Sequence, residues 1–192
     1  MNLDRIKKEC ADNRFHSFGT AKLFERRAKM YRRNLNLITF LGLAVPLVIG
    51  ITVLSFSGES EIFKVIMIPT AGVLTIFQLI FSLWALVSRW DEKNDYAISA
   101  IKSNTRLEAE FNRLCNSEEV IDNEISNLRN EYNRIKQEDT AHGVSEKEMR
   151  WAMRKALIYY KSSCATCSQK PISMEPSKCD TCGNFPRRYN YI

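Results

Sequence analysis

The chain has 192 residues, 28 Lys or Arg against 22 Asp or Glu, and a mean hydropathy of -0.28. That average would suit an evenly mixed soluble protein, a class excluded by the concentration of apolar residues between Leu35 and Val87. The charge is equally uneven: residues 1–34 hold ten Lys or Arg and four acids, and so carry the whole net charge of +6. A basic arm beside an apolar run fits anionic lipid headgroups, with nucleic acid the weaker reading. The first apolar run starts too late for a secretory signal and is followed at once by a second, so no signal peptide is expected.

In chain order, residues 1–34 form a basic amphipathic helix with Leu23, Phe24, Ala28 and Tyr31 at helical spacing. Leu35–Phe56 and Val65–Val87 contain no charged residue. At a rise of about 1.5 Å per residue the first reaches roughly 33 Å, enough for a hydrocarbon core of about 30 Å. A buried helical hairpin of a soluble core is the alternative, but such helices normally keep a polar stripe, and these are apolar nearly all round. Trp84 and Trp90 lie where ring side chains favour the interface, and Lys64 can extend outward. Arg26, Arg27, Lys29, Arg32 and Arg33 precede the first span and Arg89 and Lys93 follow the second, whereas the loop has Glu59, Glu61 and Lys64. This asymmetry predicts a multi-pass protein with both termini cytoplasmic.

Pro46 and Pro69 are expected to kink their spans. Gly42, Pro46 and Gly50 recur every fourth residue, a pattern that permits close helix approach. Thr75, Gln78 and Ser82 share one face of the second span with Ala71. That face either packs inside the hairpin, with Gln78 bonding across it, or lines a pore in an assembly.

Residues 88–161 read as a cytoplasmic helical region. Leu107, Phe111, Leu114, Ile121, Ile125, Leu128, Tyr132 and Ile135 trace a coiled-coil-like seam that needs a partner helix, from this chain or from another copy. Asn116 and Ser117, followed by Glu118 and Glu119, resemble the start of a new helix. Ala141, His142 and Gly143 mark a turn. Ser145 with Glu148 forms a capping box opening a helix with Met149, Ala152, Met153, Ala156, Leu157 and Tyr160 on one face.

Residues 162–192 carry the sharpest local signal. Cys164 and Cys167 form one CxxC, Cys179 and Cys182 a second, with eleven residues between. Two such pairs supply four thiolates for a tetrahedral structural Zn2+ with no position left for substrate. Two disulfides are the rival, opposed by a cytoplasmic location. Gly183 suits a tight turn, Pro171 and Pro176 a hairpin-like loop, and Cys10 and Cys115 read as ordinary free thiols. Arg187, Arg188, Tyr189 and Tyr191 read as a solvated tail, with nucleic-acid contact less favoured. His16 and His142 are the only histidines, and no phosphate loop, paired-acid signature or nucleophile elbow is present, so no enzyme is expected. The fold class expected is an all-α membrane protein: a two-helix transmembrane hairpin, long cytoplasmic helices and a small zinc ribbon.

A basic helix, a two-span hairpin and a helical extension over residues 1–161 resemble the SLATT family of two-transmembrane effectors associated with SMODS and SLOG modules. The four cysteines at their spacing look like a SLATT-like family of bacterial mobile elements named for that spacing. The resemblance implies a pore-forming effector of antiviral defence or inter-element conflict, triggered by a partner such as a nucleotide-signalling sensor. With the seam, the polar face and the in-span prolines, the reading is a homo-oligomer in the bacterial inner membrane that assembles through its cytoplasmic helices. It brings no catalytic residues. The alternatives are a membrane-tethered adaptor whose ribbon recruits a protein or nucleic acid and, less favoured, a small transporter component.

Overall fold

The computed structural model describes residues 3–56, 65–66, 68–117 and 122–190. The expected loop with Glu59, Glu61 and Lys64, together with Glu118, Glu119, Ile121 and Tyr191, lies outside them. The described residues form five α-helices and no strand: α1 (Leu3–Phe56), α2 (Ile68–Val87), α3 (Trp90–Cys115), α4 (Asp122–Ala141) and α5 (Glu146–Tyr159), with a 3₁₀ turn at Arg187–Asn190. They belong to two compact units, Lys29–Asp95 and Met1–Ala28 with Tyr96–Ile192. The basic arm and the cysteine tail, expected as separate segments, thus share a unit with the helical region.

Within the larger unit the seam finds its partner in the same chain. Leu107, Phe111 and Leu114 of α3 and Ile125, Leu128 and Ile135 of α4 are buried together with Ile6 and Cys10 of α1, and Tyr132 packs beside them. The N-terminal helix is therefore the third member of the bundle. A second cluster joins Leu23 and Phe24 of α1 to Ala97 and Ala100 of α3, Trp151 and Ala152 of α5, and Phe185 of the tail. Burying such aromatic and aliphatic side chains contributes roughly 1.5–3 kcal/mol each. Tyr31, expected on the same stripe, lies in the other unit.

The α4–α5 connection is built as its residues demand. Gly143 takes φ +68°, a conformation that costs side-chain-bearing residues. Ser145 and Glu148 complete the capping box in both directions. Onto this turn Arg27 lays its guanidinium, donating to both Glu148 carboxylate oxygens at 2.9 and 2.8 Å and to the carbonyls of His142 and Gly143 at 3.1 and 2.8 Å. Tyr96 stacks on His142 with ring centroids 3.3 Å apart and donates its hydroxyl to Asp139 at 2.8 Å. Asn104 satisfies the second Asp139 oxygen at 2.9 Å. Burial pushes the Asp139 carboxyl above its ordinary range.

Two basic residues expected at the lipid surface therefore have other work. Arg27 is held by Glu148, and Arg26 lies over the rings of Trp151 and Tyr189, 5.3 and 4.1 Å from their centroids. Lys29, Arg32 and Arg33 are exposed. On α5 the buried face also differs in detail. Trp151 and Arg154 are buried with Ala152, Ala156 and Leu157, whereas Met149 is 39% exposed.

The smaller unit contains residues 29–56 of α1 and all of α2. None of the residues in the most apolar stretch of α1 is buried, and Ala85 is the buried residue of α2. Leu43, Leu54, Leu86 and Val87 are 72–84% exposed, which is not how a soluble core helix behaves. Both helices are long and apolar enough to cross a membrane. Hydroxyls within them fold back on their own backbone: Thr39 donates to the Leu35 carbonyl at 3.0 Å and Thr52 to that of Val48 at 2.6 Å. α1 continues through Pro46. Pro69 is the second residue of α2, and residues 65–66 before it are π-helical.

A pH dependence follows from the Arg27 pair. Burial acts to raise the Glu148 carboxyl, but Arg27 and the Ser145 backbone and hydroxyl outweigh it and hold the group below 4.5. A lowered carboxylate stabilises the fold above its unfolded value, and that contribution is lost as pH falls through the folded value. Glu148→Gln should cost about 1–3 kcal/mol at neutral pH and progressively less below pH 4.5, read as thermal unfolding of the detergent-purified chain. An equal deficit at all pH values would contradict this.

Candidate metal centre

The tail after α5 is held by turns rather than strands. Tyr160 closes the helix, and Lys161 takes a left-handed φ of 51° to redirect the chain. The first CxxC wraps as Ser168 N–H donates to the Cys164 carbonyl at 2.8 Å, with Ser168 itself at φ 58°. The second wraps as Gly183 and Asn184 N–H both donate to the Cys179 carbonyl at 2.9 Å. The two loops face one another as near equivalents. Cys164 Sγ lies 4.0 Å from Cys179 Sγ, Cys167 Sγ 3.8 Å from Cys182 Sγ, and the Thr166 and Thr181 hydroxyls, at the same place in each loop, are hydrogen-bonded at 2.7 Å. This local twofold character is visible in the sequence as two Cys-x-Thr-Cys motifs, a signal the spacing argument passed over.

All four sulfurs lie within 4.8 Å of one another. Zinc–thiolate bonds of about 2.3 Å in a tetrahedron require sulfurs about 3.8 Å apart, so the donor set and its spacing fit Zn2+. A disulfide needs about 2.05 Å, and all four cysteines are unbridged. Backbone N–H groups of Cys182 and Thr181 bring the Cys179 thiol down to about 7, favouring the thiolate a metal needs. Burial pushes Cys182 the other way.

The cluster is tied to α5. Leu157 is buried with Cys164 and Cys182, and Phe15 and Met153 pack against them. Arg154, 9% exposed, donates through Nε to the Ser173 carbonyl at 2.7 Å and through Nη1 to the Cys182 carbonyl at 3.3 Å. Four thiolates around a divalent ion would leave net negative charge, which this guanidinium would offset. Nothing local in the sequence marks Arg154 for that role, because its acceptors are backbone atoms of a later segment.

Gly183 differs from expectation in its reason. Its φ is not left-handed; instead a Cβ there would lie 1.8 Å from Ser177 Oγ and 2.8 Å from the Ser177 carbonyl oxygen. The glycine is required by the close approach of the spacer, whose Ser177 N–H donates to the Gly183 carbonyl at 2.9 Å.

The second set of expected site residues lies in α2. Ala71, Thr75, Gln78 and Ser82 are half-buried along one face, and Ala85 continues it. Thr75 donates to the Ala71 carbonyl at 2.8 Å. A Cβ at Gly42 would lie 3.7 Å from Gln78 Nε2, so the polar face is turned toward the first span. Pro46, four residues beyond Gly42, has no N–H for the Gly42 carbonyl. In the expected small-residue stripe Gly42 meets α2, Pro46 is exposed and Gly50 has open space around it. In the tail, Tyr189 is taken up by Arg26, while the Arg188 side chain and Tyr191 lie outside the described residues.

The fold and site together define an all-helical chain with two uncovered apolar helices and a C-terminal four-thiol knuckle pair. The chain belongs to the Mobilome CxxCx(11)CxxC protein family, whose model matches residues 7–185. No curated protein and no solved structure matches it.

Purified full-length protein should carry about one zinc per chain, measured by elemental analysis. Cys182→Ser should lower that content at least tenfold. Gly183→Val should do the same without removing a ligand, because its side chain meets the Ser177 backbone; retention of zinc by Gly183→Val would refute the close-approach argument.

Proposed function

We propose that this chain is a membrane-embedded, self-assembling effector of a bacterial mobile-element conflict or defence system, which makes the inner membrane leak when a partner triggers it. The carrying observation is a pair of long helices whose apolar surface is uncovered and whose one polar stripe, Thr75, Gln78 and Ser82, faces the neighbouring span. Exposed leucines and valines call for lipid. A polar stripe in lipid calls for a partner or for water. In the resting hairpin Gln78 faces Gly42; in the active assembly the stripe would rotate to line a path for ions. Exposed Lys29, Arg32, Arg33, Arg89 and Lys93 favour both termini on the cytoplasmic side. The SLATT resemblance supports the same role, and a nucleotide-signalling sensor is the partner class it suggests.

Because the α3–α4 seam is buried within the chain, copies would assemble through the hairpin, where Pro46, Gly50 and Gly72 are open. Zn2+ is structural in this reading, and no residue is catalytic. Overproduction should collapse membrane potential, reported by a potential-sensitive dye, and Gln78→Leu should reduce the leak severalfold at equal membrane abundance. Full toxicity with an intact potential would sink the pore reading.

The adaptor reading rests on Ile172, 90% exposed at the tip of the spacer between the knuckles. Removing everything after Lys161 cannot separate the two ideas, since Phe185 belongs to the core. Ile172→Asp can: an adaptor docking through that tip loses function, while a pore former keeps its leak.

A further inference from the structure

Two cysteines stand outside the metal cluster, and the fold brings them together. Cys10 lies in α1 and is fully buried among Ile6, Leu107, Phe111 and Leu114. Cys115 is the last residue of α3, half-buried at the edge of that cluster. Its Sγ lies 3.8 Å from the Lys7 carbonyl oxygen. A helical carbonyl points toward the residues three and four positions on, so this contact sets Cys115 near Cys10, and Cys115 packs against the same buried cluster. Cys115 is thus the partly exposed residue of the pair and Cys10 the buried one.

We propose that Cys10 and Cys115 form a modification site: a thiol pair that closes to an intramolecular disulfide by exchange with a low-molecular-weight disulfide such as oxidised glutathione. Cys115 gives its proton to solvent, and its thiolate attacks one sulfur of the small disulfide. That S–S bond breaks, and one small thiolate leaves and takes up a proton. Cys10 then loses its proton and attacks the Cys115 sulfur of the mixed disulfide, releasing the second small thiol. The two cysteines lose two electrons and the small disulfide gains them.

The order follows from the surroundings. Burial raises both thiols, Cys10 to about 11, but the charges of Arg14 and Lys7 act to lower Cys115. Cys115 is also the more exposed, so it is the attacking sulfur and Cys10 the resolving one. With both thiols protonated at rest, the site is insensitive to traces of oxidant and closes under sustained disulfide stress. Closure would staple the start of α1 to the end of α3.

The test uses the full-length, zinc-loaded protein in detergent, treated with excess oxidised glutathione, alkylated, digested without reductant and analysed by mass spectrometry. The expected product is a peptide pair linked through Cys10 and Cys115, with zinc content unchanged. Cys10→Ser should instead trap glutathione on Cys115, and Cys115→Ser should leave Cys10 unmodified. Zinc retention in both variants reports that they fold. A wild-type protein that keeps glutathione on Cys115 without linkage, or loses zinc before either sulfur reacts, overturns the proposal.

Discussion

One guanidinium, that of Arg27, organises the larger unit. It gathers the two Glu148 oxygens and two backbone carbonyls at the α4–α5 turn. A pair this enclosed, with side chains 15% and 17% exposed, is favourable only because its hydrogen-bonding capacity is met. The arrangement fixes where α1 lies against α5, and from that follow the burial of Phe24 and Trp151 and the seat of the cysteine tail on Leu157. Tyr96 grips the same turn through His142 and Asp139. Arg129 and Glu9 make a second part-buried, bidentate pair at 2.6 and 2.9 Å, whereas pairs such as Arg106–Glu131 and Arg134–Glu138 are exposed and contribute little.

What could be read in the sequence was what is encoded locally. Two uncharged runs, a capping box, a glycine turn and two CxxC pairs each state their structure within a few residues, and each is found where expected. The seam from Leu107 to Ile135 was legible as a seam, but its partner was not, because complementarity to Ile6 and Cys10 leaves no periodic trace. Arg26 and Arg27 show the opposite failure. A basic cluster before an apolar run has an obvious lipid reading, and only packing reveals that Glu148, Trp151 and Tyr189 claim those two side chains first. Arg154 escaped for a related reason, since a charge on a helix face normally signals solvent and here it meets carbonyls of a strandless tail.

The spacer between the cysteine pairs is pinned at both ends: Gln169 by its carbonyl to the Cys164 N–H, Ser173 and Ser177 by Arg154, and Ser177 again by Gly183. Ile172, by contrast, stands 90% exposed. A loop moored so close to each anchor has almost no slack, so gaining or losing one residue would pull a sulfur out of position. The count of eleven is therefore a mechanical gauge, and lineages carrying this module would be free to vary letters there while keeping its length.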